Sequence, residues 1–507
     1  MTSKSLWMDV DYARDVPGDF ECDVVVVGSG IAGLSTAYEL CQRGKSVAVL
    51  DRGAISGGMT SRTSAHLAPL CDDLVSEMSK IKGQDATKLF YESQAAAIDR
   101  IEQIQKKENI GCDFRRLDRY LFQGRNMPPD VIEQELEAVR AVGAPVHRPM
   151  GVPFNGCEKR HVLRYPRQAT FHPTKYLAGL AKVCHANGVS FFRDTPVDEV
   201  REEAGIVAAK TSRGTVRARH AVVATNSSIS DLFAIHTKTA PYRTYVMAFE
   251  IERDVVPDAL YWDTEEPYHY VRLQPGSGRF DHILVGGEDH KSGQADDADE
   301  RFRRLESWTR GLINHLGKET HRWSGQVLDT VEYAGFIGRD PGGTDIYVAM
   351  GDSGQGLTHG VAGAMLNAAL ILGEHHPWQE LYSPARTPLM AAKNFVSENV
   401  TALKSFADYV APGEVASVEE LTTGQGAIVR RGLEKPAAYR DDQGALHLKS
   451  AACTHVGCHL HWNGFEVCWD CPCHGSIFDI EEFAKRAPCR RTGGKNKLPW
   501  LRPVPAH

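Results

Sequence analysis

The segment Asp23–Gly53, DVVVVGSGIAGLSTAYELCQRGKSVAVLDRG, admits very few folds. Val24 to Val27 are a continuous β-branched run, the composition of a parallel strand buried on both faces. Gly28-x-Gly30-x-x-Gly33 follows directly. Ile31, Leu34, Ala37 and Leu40 then recur on one face of a helix that Gly44 is placed to end. A second strand, Ser46 to Leu50, leads into Asp51. Strand, glycine turn, helix, strand and acid is the order in which a dinucleotide is held. Gly28 makes the tight turn, Gly30 lets the backbone approach a pyrophosphate, and Gly33 lets the helix lie close on the strand. The helix N-terminus offers free N–H groups and partial positive charge to the phosphates. Asp51, 23 residues after Gly28, can accept from a ribose 2′-OH and would repel a 2′-phosphate, which disfavours NADP. A glycine-rich turn in an unrelated α/β domain is the competing reading, and the full context disfavours it.

A second stretch, Cys453–Gly475, CTHVGCHLHWNGFEVCWDCPCHG, packs five cysteines and four histidines into 23 residues, against seven cysteines elsewhere. A chain of 507 residues exceeds one core and predicts two to four domains. A net charge of −7 argues against a nucleic-acid partner. The N-terminal segment holds no apolar stretch of signal-peptide length, and no apolar run reaches the ~20 residues of a membrane span. The expected compartment is a reducing cytoplasm, where clustered cysteines bind metal more often than they pair.

Between the two ends, apolar spacing predicts helices over about 86–107 and from Pro173 to Gly188, with short strands at 190–193, 206–211, 215–218 and 221–224. Residues 242–335 read as aromatic-rich alternating strands interrupted by one helix at about 299–316. Ile346–Met350 is a further buried strand, followed by the turn GDSGQGLTHG, Gly351–Gly360, and a helix over about 358–373.

That second glycine-rich turn points to FAD rather than NAD, because a helix N-terminus there can stabilise negative charge on a reduced flavin ring. With VVVVGSGIAGLSTAYEL, HAVVATN, RWSGQ, FIGRD and GQGLTHG, residues 6–373 resemble the D-amino-acid oxidase/glycine oxidase group of FAD-dependent oxidoreductases. The resemblance implies a Rossmann-type α/β domain with an antiparallel substrate sheet. It also implies cofactor contacts from Gly28, Ser29, Gly30, Ala32, Gly33, Asp51, Arg52, Val197, Ala224, Thr225, Gly351, Gly356, Leu357 and Thr358, with Asn226 beside them. Some relatives attach FAD covalently through a histidine after the second strand; Arg62 holds that position here, so no such bond is expected. His66, Arg339 and His359 are the candidates for contact with ring or substrate. Arg243, Tyr245, Tyr270 and Arg272 are candidates for clamping a carboxylate, with packing in the sheet as the alternative.

CTHVGC and CPCHGS resemble the cluster-binding loops of Rieske proteins. Cys-x-His, fifteen residues, then Cys-x-x-His suits a [2Fe–2S] centre with two cysteines on one iron and two histidines on the other. The resemblance assigns Cys453, His455, Cys471 and His474 as ligands, and zinc is the competing occupant. Cys458 and Cys473 correspond to the disulfide of respiratory members, and whether they pair is open. Cys468, His459 and His461 are extra and read as ordinary loop or surface residues. Ser476 can donate to a bridging sulfur, whereas Phe478 stands where respiratory members donate from a tyrosine. A potential below theirs is expected.

The expected organisation is an FAD-dependent oxidoreductase domain over 1–375, with its substrate-facing sheet at about 240–335. A connector at 376–411 and a small all-β Rieske domain at 412–507 follow. The resemblance to such a fusion implies oxidation of an amine or amino acid by hydride transfer. Electrons would then pass through the cluster to an external one-electron acceptor, a protein or a quinone. A dehydrogenase is favoured over an oxidase. The alternative is an electron-transfer or redox-sensing protein with no small-metabolite substrate.

Overall fold

The computed structural model describes residues 3–7, 18–227, 238–386, 413–430, 435–453, 457–473 and 475–480. His455, His474, most of the connector and the tail from residue 481 lie outside them.

Eight strands make the first sheet: β1 (Phe20–Val27), β2 (Val47–Leu50), β6 (Ser190–Phe192), β7 (Val197–Glu203), β8 (Ile206–Thr211), β9 (Gly214–Asn226), β15 (Phe336–Arg339) and β16 (Ile346–Met350). Its order is β15-β16-β9-β1-β2-β6, with β8 and then β7 folded back from β9. β16, β9, β1, β2 and β6 run parallel. Val24–Val27 are buried, as a strand covered on both faces requires. The two short strands expected at 215–218 and 221–224 are one element, because β9 serves two neighbours: its first half pairs with β8 and its length with β1.

Helix α1 (Ile31–Cys41) covers one face of this sheet, together with α3 (Gln84–Lys107) and α5 (Pro173–Ala186). Helix α7 (Gly356–Ile371) packs against α1 so closely that a Cβ on Gly360 would stand 2.8 Å from Ile31 Cγ2 and 3.0 Å from Ala32 N. Two helix N-termini therefore converge where β1, β9 and β16 end, the crevice in which open parallel sheets bind ligands.

The second sheet is mostly antiparallel, in the order β14-β10-β13-β12-β11-β4-β5-β3. It comprises β3 (His66–Leu67), β4 (Arg115–Phe122), β5 (Val162–Thr170), β10 (Thr239–Glu252), β11 (Leu260–Asp263), β12 (His269–Gln274), β13 (Phe280–Lys291) and β14 (Glu319–Thr330). The substrate-side sheet is thus no simple insertion at 240–335; three of its strands come from 66–170. Its inner face (Val246, Ala248, Trp262, Tyr270, Leu284, Trp323) joins the core of the first domain. Its outer face (Tyr245, Met247, Phe249, Val271, Val285) is covered by α6 (Ala298–Leu312) through Phe302 and Leu305. The remaining helices are α2 (Val75–Lys82), α4 (Asp130–Ala141) and α8 (Gln379–Tyr382).

The C-terminal unit holds two small antiparallel sheets: β17 (Gly426–Ile428), β18 (Pro436–Arg440) and β19 (Leu446–Ser450), then β20 (His461–Asn463), β21 (Cys468–Asp470) and β22 (Ile477–Asp479). Trp462, Trp469, Cys453, Cys458, Cys471 and Cys473 share its core. Among the described residues no helix is long and apolar enough to cross a membrane.

Candidate functional site

The glycine turn after β1 has the geometry of a phosphate cradle. Gly28 sits at φ +103°, and a Cβ on it would collide with the carbonyl oxygen of Ala224. A Cβ on Gly33 would collide with the carbonyl of Gly28, and one on Gly30 would stand 3.2 Å from Thr60 Oγ1. Asp51 closes the turn from the side: its Oδ2 accepts from Ser29 N (2.8 Å) and Ser29 Oγ (2.6 Å), and its Oδ1 from Gly53 N (2.9 Å). The helix N-terminus is partly engaged by Thr60, a residue that belongs to no motif, since Ile31 N donates to Thr60 Oγ1 at 3.1 Å. Ala32 lies beneath Gly360, and Arg52 follows Asp51. Ala224 and Thr225 lie near the end of β9, beside Gly28, and Asn226 adopts φ +67° as the chain leaves; Val197 opens β7, two residues after Thr195, whose N donates to Asp51 O at 2.7 Å. Opposite them Gly351 (φ +71°) turns the chain, and Gly356, Leu357 and Thr358 form the first turn of α7.

Between this crevice and the inner face of the second sheet lies a cleft lined by carboxylates. Asp72 Oδ1 accepts from Gln355 Nε2 at 2.9 Å, and Asp352 Oδ1 accepts from Leu328 N at 3.3 Å. Asp73, Asp289 and Asp329 complete the group. Water can reach Asp73, yet protein surrounds it, which marks an interior cleft. Burial pushes Asp72 and Asp352 up to about 6 and Asp73 and Asp289 up to about 7, and it drives Asp329 well above the ordinary carboxylate range; neighbouring acids add to the rise at Asp73 and Asp329, whereas the Arg119 charge opposes it at Asp72. An acid whose folded pKa is raised costs stability once the unfolded chain ionises and the folded one does not. For Asp289 that penalty builds from about pH 4 and is complete by about pH 7. The stability advantage of Asp289→Asn over the wild type should therefore grow across that window. Thermal unfolding of both FAD-free proteins from pH 4 to pH 8 measures it, and a constant difference would refute the assignment.

His66 lies on the inner face, its ring 4.4 Å from Trp262 and 5.4 Å from Tyr270, with Nδ1 bonded to Ser64 Oγ at 2.9 Å. Its Nε2 is buried without a partner, and burial, then the charges of Arg272 and Arg119, hold the ring neutral. The other two candidates sit elsewhere. Arg339 is exposed on edge strand β15, against Tyr347, at the end of the strand pair away from the Gly351 turn. Nothing there brings it to the cleft. His359 is buried behind the turn, edge-on to the Tyr382 ring and beside Gly335, with its pKa lowered to about 4 by burial; it packs the core.

The proposed carboxylate clamp also dissolves. Arg272 is fully buried and spends its donors on the carbonyls of Ser64, Ala65, Phe171 and Leu273 and on Gln274. Tyr245 faces outward, its hydroxyl 3.1 Å from His290 Nε2. Tyr270 alone of the four lines the cleft, its hydroxyl 3.2 Å from Thr244 Oγ1. Arg243 points to the outer face, and its Nη2 donates to both carboxylate oxygens of Asp470 of the C-terminal unit at 2.7 and 2.8 Å, both residues buried.

That pair belongs to a sealed contact between the two parts of the chain. Arg62 Nη1 donates to Glu466 Oε1 at 3.0 Å, and Ser3 Oγ and Ser324 Oγ donate to the same oxygen at 2.6 and 2.5 Å. Burial pushes Glu466 up, but Arg62, these hydrogen bonds and Arg243 outweigh it and leave the carboxyl below its ordinary range. Arg62 is thus held by this contact between the two parts of the chain. Gln326 Nε2 donates to Gly475 O at 2.7 Å. Gly475, at φ +68°, is held so near Pro241, Gln326 and Leu328 that a Cβ would meet them at 2.6–3.0 Å.

Cys453 and Cys471 are buried, one on each of the two expected ligand loops, and the other two assigned ligands, His455 and His474, fall outside the described residues. Cys458 and Cys473 form a disulfide that ties the loops together. The sulfurs of Cys458, Cys471 and Cys473 lie within 4.8 Å of one another. The Cys471 loop is closed by Cys471 N to Ser476 O (2.9 Å) and Gly475 N to Cys471 O (3.1 Å). Two buried thiols on pinned loops fit a two-loop cluster. Cys468 is not a surface residue: it is buried on β21, 3.7 Å from Asp470 Oδ1.

Comparison with known proteins agrees with both halves. The family described as FAD dependent oxidoreductase matches residues 23–370, and the Rieske [2Fe-2S] domain matches residues 411–502. The Rieske 2Fe-2S iron–sulfur protein YhfW of Bacillus subtilis is 28% identical over 465 residues, 91% of this chain and 90% of that one. The gamma-glutamylputrescine oxidoreductase of Escherichia coli is 24% identical over 374 residues, covering 70% of this chain and 84% of its own length. Among solved structures, glycine oxidase from Geobacillus kaustophilus superposes with a TM-score of 0.62 at 17% identity, over 73% of this chain and 99% of that one, a likeness of fold. With the dinucleotide crevice, the sheet above it and the paired-loop cysteine domain all accounted for, the chain belongs to the FAD-dependent oxidoreductase family, whose domain binds FAD, and carries a Rieske domain that binds a [2Fe–2S] cluster.

Proposed function

We propose that the protein dehydrogenates an amine or amino acid at the carbon next to nitrogen and sends the electrons through its own Rieske domain to an external one-electron acceptor. Bound FAD supplies a two-electron acceptor and the [2Fe–2S] cluster a one-electron one. The observation that carries this reading is the docking of the ligand loop Cys471–Gly475 on β10 and β14. The same two strands present Thr244 and Asp329 to the cleft on their other face. One sheet thickness, about 10 Å on the spacing of packed sheets, separates the loop from the cleft. The chain's own contribution is to hold this spacing through Arg243–Asp470 and Arg62–Glu466 and to wall the cleft with Trp262, Tyr270 and neutral His66. Its relatives named for amine and amino-acid oxidation support the substrate class.

Anaerobic stopped-flow mixing with amines tests it. Flavin bleaching followed by cluster reduction within one turnover is expected, and Cys471→Ser should keep the first event while losing the second. A flavin that bleaches while the wild-type cluster stays oxidised through turnover would defeat the relay.

A further inference from the structure

The inner face of the second sheet is charged at both ends, and the charges have opposite sign. At the β4 end lies Arg119, which is 3% exposed. Its Nε and Nη1 are buried and have no hydrogen-bond partner, and although Asp72 and Glu135 are near enough to feel its charge, no carboxylate among the described residues comes within ion-pair distance of it. Its guanidinium carbon stands over the Trp262 ring, 3.9 Å from the centroid. The other deeply buried arginines are occupied: Arg62 by Glu466, Arg243 by Asp470, Arg272 by carbonyls. Leaving a guanidinium dry and unpaired is costly, and its fork fits a carboxylate.

From Arg119 a row of rings crosses the sheet. Trp262 contacts His66, whose own Nε2 is buried without a partner, and His66 contacts Tyr270. Beyond Tyr270 stand Asp289 and Asp329, while Asp72 lies between, close enough to Arg119 to feel its charge. Asp289 Oδ1 is likewise buried and unpartnered. Trp262 to Asp289 spans two strand spacings and three residues, roughly 14 Å. An α-amino acid, whose charged groups sit on one carbon, is too short to join the two ends.

We propose that the substrate is an elongated amine with an anionic terminus: a carboxylate held by Arg119 and an ammonium held by Asp289 and Asp329, with the chain between them lying along Trp262, His66 and Tyr270. This rests on the reading of the cleft as an amine-oxidising site. It makes Arg119 a specificity residue on a strand that contributes nothing to the nucleotide crevice.

The test uses the full-length holoprotein and three probes: glycine, 1,4-diaminobutane and 8-aminooctanoate. Flavin bleaching reports oxidation, and perturbation of the flavin absorbance with bleaching absent reports binding. 8-Aminooctanoate is expected to be preferred over both others. Arg119→Met should raise its KM at least tenfold with kcat within about twofold, and abolish its preference over the diamine, while Arg119→Lys restores part of the affinity. Because the guanidinium is unpaired, Arg119→Met should melt no lower than the wild type; a marked drop in Tm would show a structural role and overturn the assignment. Equal response to glycine and 8-aminooctanoate, unchanged by Arg119→Met, would overturn it too. Binding of 8-aminooctanoate that depends on Arg119, with no amine oxidised, would instead defeat the oxidation reading and leave two-ended recognition standing.

Discussion

Arg243→Met is expected to cost about 3–5 kcal/mol, because it strands the Asp470 carboxylate in a dry interface. Both residues are buried, and the two hydrogen bonds at 2.7 and 2.8 Å have no solvent to replace them. Asp470 would keep Asn463 Nδ2 at 2.9 Å as a neutral donor, which does not neutralise it. Replacing both partners, Arg243→Met with Asp470→Leu, should recover most of the loss, since a buried pair is often no better than well-packed apolar groups. Urea unfolding of the two single variants and the double variant closes the cycle. A single-variant loss under about 1 kcal/mol would mean that water already reaches the pair. The functional companion is slower cluster reduction with flavin bleaching unimpaired, because the loop that holds Cys471 is seated next to this pair.

Gly33→Ala is expected to abolish FAD retention. The added methyl would be driven into the carbonyl oxygen of Gly28 and lie 2.9 Å from its carbonyl carbon, so the turn must open or α1 must lift from β1. Either movement disperses the N–H groups that face the phosphates. Gly44→Ala is the control: Gly44 adopts φ +76° with nothing within 4 Å, so its change costs only backbone strain, of the order of 1 kcal/mol. Protein-bound flavin absorbance after gel filtration separates the two. Retention of a full complement of FAD by Gly33→Ala would show that the helix can yield.

Much of this was readable from local pattern. The β1–α1–β2 unit announced itself because its period, its glycines and its closing acid all lie within thirty-odd residues. The second turn and the ligand loops are equally compact. What escaped was long-range. β4, RRLDRYLF, carries three arginines and no regular alternation, because both faces of that strand are covered and Arg119 is buried against aromatics. Arg243 and Arg272 invited assignment as substrate clamps, since a sequence shows a cation and not its partner. Among their acceptors are Asp470, 227 positions from Arg243, and the carbonyl of Ala65, 207 positions from Arg272. Thr60, which meets the first N–H of α1, carries no motif at all.

Consecutive residues of β10 face different neighbours: Arg243 and Tyr245 turn toward the C-terminal unit, Thr244 and Val246 toward the cleft and the first core. Point substitutions can therefore reshape the choice of metabolite without disturbing the cluster's seat, as long as they respect odd and even. An insertion of one amino acid would exchange the two sets at a stroke. Divergence in this lineage should accordingly proceed by replacement along β10, with changes in length confined to its ends.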